Sequence, residues 1–102
     1  MKLVWTELAV NDLGGIHEYI GQDSRFYAEQ FVERLILAAE KLADFPGLGR
    51  MVPEAGTESI RELLFQAYRI IYRLEQERVS ILAVIHGSRD LVGQAGKPWD
   101  VT

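Results

Sequence analysis

The stretch Tyr68 to Asp90, YRIIYRLEQERVSILAVIHGSRD, decides how the chain is read. Its first part alternates arginine with apolar residues, a polar break follows at Glu75 to Glu77, and the second part is apolar on both faces before a His-Gly-Ser-Arg cluster. Alternation marks a half-buried strand, and a short continuous apolar run marks a strand covered on both sides. Pairing the two as a hairpin with Leu74 opposite Val79 sets Tyr72 against Ile81, Ile70 against Ala83 and Tyr68 against Ile85. That face is expected to be core. The opposite face then carries Arg73 beside Ser80, Ile71 beside Leu82, Arg69 beside Val84, and His86 one step beyond Arg69. Ile71, Leu82 and Val84 are too apolar for an open surface, so another segment of the chain or a partner is expected to cover them.

Immediately before this hairpin, Ile60 to Phe65 (IRELLF) reads as a third strand, with Gln66 and Ala67 as a tight connection. The preceding segment, Phe45 to Ser59 (FPGLGRMVPEAGTES), is a loop by its prolines and glycines and longer than a simple connector. Arg50 stands in it alone and is expected to be solvated. Further back, Ala28, Phe31, Val32, Leu35, Ala38 or Ala39, Leu42 and Phe45 form the apolar stripe of a helix that Asp23 or Ser24 can cap and that Pro46 and Gly47 end. Phe26 and Tyr27 are expected to join Phe31 in the core. An earlier helix runs from about Glu7 to Ile20, with Thr6 as its N-cap and His17 off its apolar line. Gly14 and Gly15 within it mark a weak spot or a close approach by another backbone. Lys2 to Trp5 open the chain as a short strand.

Composition bounds the rest. The 102 residues, 48% apolar and 25% charged, are enough for a single domain burying roughly 60–70% of its unfolded surface. There is no cysteine, which excludes disulfides and thiolate metal sites. The N-terminus lacks the pattern of a signal peptide, and no apolar run approaches the roughly 20 residues a membrane helix needs, so a cytoplasmic protein is expected. A net charge of −4 argues against broad salt-driven attraction to nucleic acid. From residue 46 to residue 90, however, every cation apart from His86 is an arginine. Arg69, His86 and Arg89 could converge at one end of the sheet and offer planar donors to phosphate or carboxylate. Gly87 is expected to bend the strand there, so alternation does not fix where Arg89 points.

Trp5, the two helices, FPGLGR, the Arg61-Glu62-Leu63 step, YRIIYR and HGSRD occur in an order that resembles the RelE/ParE superfamily of toxins from type II toxin–antitoxin modules. The resemblance spans about residues 1–92, read as a single toxin domain, and leaves 93–102 as a C-terminal tail that is either disordered or uses Trp99 to dock on the sheet or meet a partner. It implies an α+β fold in which an N-terminal strand and an antiparallel helical hairpin pack on one face of a small twisted antiparallel sheet. It also implies a cognate antitoxin that wraps the toxin and would cover the outer apolar patch, contact with operator DNA only through that antitoxin, and no cofactor, metal or membrane.

The superfamily divides in function. One branch cuts mRNA on the ribosome, with arginines stabilising charge on the phosphate. Arg69 and Arg89 match two of its arginines, and His86 could move protons. The lysines of that branch would fall near Ile60 and Glu62, and its tyrosine at Ala95, so those positions are not matched. The other branch, ParE, poisons DNA gyrase and needs no nuclease constellation. The HG-x-R ending after YRIIYR and the acidic balance favour that branch. Arg61, Arg69, Ile71, Arg73, Leu82, Val84 and Arg89 are then expected to contact target or antitoxin. A third reading is a degenerate member that binds its antitoxin and harms nothing.

Overall fold

The structure is a computed structural model that describes residues 1–89, 91 and 96–100. Strand β1 (Lys2–Trp5) enters helix α1 (Glu7–Gly21) through Thr6, whose hydroxyl accepts the Ala9 N–H and caps the helix. Helix α2 (Arg25–Glu40) starts the same way, with the Ser24 hydroxyl accepting from Tyr27 N–H, and runs into a 3-10 turn at Lys41–Ala43. After it come β2 (Arg50–Met51), β3 (Ile60–Phe65), β4 (Tyr68–Leu74) and β5 (Arg78–His86), and a last 3-10 turn spans Pro98–Asp100. Among the described residues no helix is long and apolar enough to cross a membrane.

The strands form one sheet in the order β1-β5-β4-β3-β2. Every pairing is antiparallel except β1 with β5, so the sheet is mixed: the opening strand joins the edge beside the last strand and runs parallel to it. The helical hairpin lies over one face. Ile16, Phe31, Leu35 and Leu42 are buried there against Ile70, Tyr72, Ile81 and Val84, and Trp5 packs at the margin. Phe31 meets the rings of Phe65 and Tyr68 edge-on at 5.5 and 5.6 Å, a favoured arrangement for aromatic pairs. Phe26, Tyr27 and Phe45 do not share this core: they are 70%, 50% and 64% exposed, and Phe45 lies beyond the 3-10 turn that ends α2. Phe26 lies two positions before Ala28, about 200° around the helix, so it points away from the sheet.

A bulge corrects the expected register. Leu74 faces Val79 and Tyr72 faces Ile81 as the sequence predicts, but Ile71 then pairs with Ala83, Ile70 with Val84, Arg69 with Ile85 and Tyr68 with His86. Leu82 is the extra residue. Side chains alternate with period two, so one inserted residue exchanges the faces of everything beyond it. Val84 therefore moves into the helix-side core, and Ala83 and Ile85 move to the opposite face. The start of α1 holds the bulge in place. The Thr6 hydroxyl donates to the Leu82 carbonyl at 3.1 Å, and the Asp12 carboxylate accepts the Val84 N–H at 2.9 Å.

The second face is also covered. Ile71, Leu82, Ala83 and Ile85 bury with Val52, Ile60 and Leu91, and Ala55 and Trp99 pack around them. The cover expected over the apolar outer patch thus comes from this chain: the β2–β3 loop on one side, Leu91 and the Trp99 turn on the other. The expected boundary after residue 92 lies outside the described residues, as do Asp90 and Ala95.

Candidate functional site

The second face carries a line of charge that strand alternation and register assemble. Register sets Glu62 of β3 across from Arg50 of β2 and Ile71 of β4, and Arg69 of β4 across from Leu64. Arg50 Nε donates to Glu62 Oε2 at 2.7 Å, and Arg69 Nε donates to Glu62 Oε1 at 2.5 Å. The terminal nitrogens of Arg69 then fork onto the two oxygens of Glu54, at 3.0 and 2.9 Å. Glu62 has no side-chain exposure and Arg69 has 9%. Charges this deep persist only when paired and hydrogen-bonded, and the two acids and two arginines here neutralise each other. The hydrogen bond from Arg69 holds the Glu54 carboxyl below its usual range, and Glu54 in turn raises Arg69 further.

The FPGLGR segment is built around Tyr72. The Tyr72 hydroxyl donates to the Pro46 carbonyl at 2.8 Å and accepts the Gly49 N–H at 3.0 Å. Burial pushes its phenol up. Arg61 Nη1 donates to the Gly49 carbonyl at 3.1 Å, while Arg61 Nε is buried without a hydrogen-bond partner among the described residues. Gly49 is crossed so closely that a Cβ there would stand 2.5 Å from the Glu62 carbonyl oxygen and 2.7 Å from the Tyr72 hydroxyl. The residues that carry the sequence resemblance are thus largely one another's partners.

A cleft of about 570 Å³ opens beside the charge line, with Arg69 and Glu54 in its wall and Arg50, Tyr68, His86 and Ser88 around it. His86 sits edge-on to Tyr68 with centroids 5.5 Å apart. Its Nδ1 accepts the Ser88 N–H at 3.2 Å and lies 2.7 Å from the Ser88 hydroxyl. With Nδ1 accepting, the neutral ring carries its proton on Nε2.

The expected site residues are only partly brought together. Arg69 and His86 share the cleft, but Arg89 lines a separate recess with Leu8, Asp12 and Lys97 on the α1 side. Asp12 there is raised by burial, an effect that the Val84 N–H and the nearby Arg89 oppose. Arg61 shares the helix-side face with Tyr72, its partner across the strands. Arg73 donates to the Trp99 carbonyl at 2.5 Å at the other end of β4. Ile71, Leu82 and Val84 are buried inside the chain, Val84 on the helix side, so none offers a surface for contact. Arg50, expected to be solvated and alone, keeps an exposed head but is anchored to Glu62. Sequence reasoning missed Glu54 and Glu62. The available signal was the match in number between acids and arginines in the second half, together with Glu62 lying on the Arg69 face.

Comparison with known proteins follows the same lines. The family described as the ParE toxin of the type II toxin–antitoxin system parDE matches residues 3–91. Toxin RelE2 of Caulobacter vibrioides is 37% identical over 89 residues, covering 86% of this chain and 97% of the relative. A solved structure of the chromosomal ParDE TA system from P. aeruginosa superposes with a TM-score of 0.71 at 22% identity, over 84% of this chain and 95% of that one, which establishes the likeness of fold.

Proposed function

The chain belongs to the ParE toxin family of type II toxin–antitoxin systems, which implies a cognate antitoxin, and from that premise we propose that it acts as a ParE-like inhibitor of DNA gyrase. The observation that carries this reading is the state of Arg69. In the nuclease branch of the superfamily the arginines matched by Arg69 and Arg89 stabilise charge on the phosphate. Here the Nε of Arg69 is bonded to Glu62, both terminal nitrogens are bonded to Glu54, and Arg89 lies in a different recess beside Asp12. With Glu54 in place, this buried, neutralised arginine positions strands and loops and is poorly placed to stabilise charge developing on a substrate.

The net charge of −4 supports the same reading, since docking on ribosomal RNA rewards a basic surface. In this reading the toxin works by protein contact. Its arginines organise the sheet, and its exposed surface meets the target.

Induction without antitoxin, with DNA and protein synthesis pulse-labelled separately over the first minutes, tests the proposal. DNA synthesis is expected to stop first, with cleaved DNA trapped on gyrase. Immediate arrest of protein synthesis, with mRNA cut within codons, would overturn it.

A further inference from the structure

The four charges of the Arg50–Glu62–Arg69–Glu54 line do not have equal standing. Glu62 is fully enclosed, and its two oxygens are committed to Arg50 and Arg69. It is a fixture of the sheet. Glu54 stands at the outer end, on the β2–β3 loop, with 20% of its side chain exposed. The base of that loop is tied by the Val52 N–H to the Ile60 carbonyl at 3.0 Å, and Glu54 lies inside the turn that the Ala55 N–H closes on the Val52 carbonyl at 3.1 Å. Its carboxylate meets the guanidinium edge in the planar two-bond fork that an incoming carboxylate or phosphate would make.

Withdrawing Glu54 leaves the bond from Arg69 Nε to Glu62 intact. It presents the two terminal nitrogens to the cleft that Arg50, His86 and Ser88 also line. We propose that Glu54 is the resident occupant of an oxyanion site, an autoinhibitory carboxylate that a carboxylate or phosphate group of a ligand displaces. The inference goes beyond the identity of the toxin's target. Displacement frees the terminal nitrogens of Arg69 but leaves Arg89, the second arginine matched to the nuclease branch, in its own recess. A tethered carboxylate competes at an effective concentration on the order of millimolar or higher, so the native site binds free anions weakly.

Glu54→Gln tests the idea, because the amide keeps the size, gives up the charge and cannot accept both arginine bonds. Inorganic phosphate and glutarate are titrated separately at constant ionic strength into folded native and E54Q protein, following the side-chain Nε–H signal of Arg69. Both the signal change and a gain in affinity of at least about tenfold are expected in E54Q, a difference of roughly 1.4 kcal/mol. A larger gain for phosphate points to a phosphate-bearing ligand, and a larger gain for glutarate to an acidic side chain of a partner. Native-like affinity for both anions in folded E54Q, or a gain that leaves the Arg69 signal unmoved, would overturn the proposal. If E54Q does not fold, Glu54→Asp takes its place. Its shorter side chain loosens the fork, so anion affinity must rise above the native value, and an unchanged value overturns the inference as well.

Discussion

Gly49 and Gly14 show how one residue type takes opposite roles. At Gly49 the Glu62 carbonyl and the Tyr72 hydroxyl occupy the space where a Cβ would stand, while a Cβ at Gly14 would meet nothing within 4 Å among the described residues. Gly49→Ala is therefore expected to destabilise the domain by about 1–3 kcal/mol, because either β3 or the Tyr72 ring must shift. Thermal unfolding reads this as a fall of roughly 4–8 °C for each kcal/mol. A melting temperature within about 1 °C of native would remove the close approach as the reason for glycine here. The sequence shows FPGLGR as a turn-rich loop, but it does not show that a tyrosine more than twenty positions later fills the loop. That contact is set by the strand order.

At the scale of elements, α1 does more than cover the sheet. Through Thr6 and Asp12 it satisfies two backbone groups at the β5 bulge, the Leu82 carbonyl and the Val84 N–H. An unmatched buried backbone group costs about 1–3 kcal/mol, so the helix fixes the register on which both cores depend. The exposed glycine pair within α1 plays no part in this, and among the described residues nothing lies within 4 Å of where either Cβ would stand. Gly14→Ala is expected to stabilise the protein by about 0.5–1 kcal/mol, through helix propensity and a more restricted unfolded chain. Denaturant unfolding measures it as a higher midpoint with an unchanged slope. A lower midpoint would mean that the glycine serves a contact not visible in the free chain. Helix starts and the four longer strands were legible from local patterns, but β2, two residues inside the segment read as a loop, was not, and Phe26 and Tyr27, expected in the core, do not share it. The bulge was not legible either, because nothing in ILAVI distinguishes an inserted residue from its neighbours.

The described residues form a single sheet between two covers, the helices on one face and the β2–β3 loop with Leu91 and Trp99 on the other. The charge line lies at the loop's inner surface, which ties acid stability to loop closure. Glu54 is depressed in the folded chain by Arg69, with Arg50 adding a smaller effect. Its contribution is therefore fully present above its ordinary value of 4.5 and is lost as pH falls through the depressed folded value. Asp12 has the opposite sign, since burial raises it and its ionised form opposes folding. The difference in melting temperature between native protein and E54Q isolates Glu54. It is expected to be constant from pH 7 to about 5 and to shrink towards zero below about 4. A difference that does not change with pH would show that the carboxylate contributes by packing and not by charge.

Local periodicity and an ordered set of short motifs were enough for the α+β class, the order of the helices and the four longer strands, the two capped helices, the alternation of β4 and the toxin family. The rest depends on how distant segments meet. The folded chain places β1 parallel to β5, moves Val84 into the helix-side core, covers the second face with the β2–β3 loop, Leu91 and Trp99, and puts Arg89 away from Arg69. Above all, it shows that the arginine most suggestive of catalysis is held by Glu62 and Glu54. A guanidinium is equally able to grip a phosphate or a neighbouring carboxylate, and which one it meets depends on how distant segments fold together.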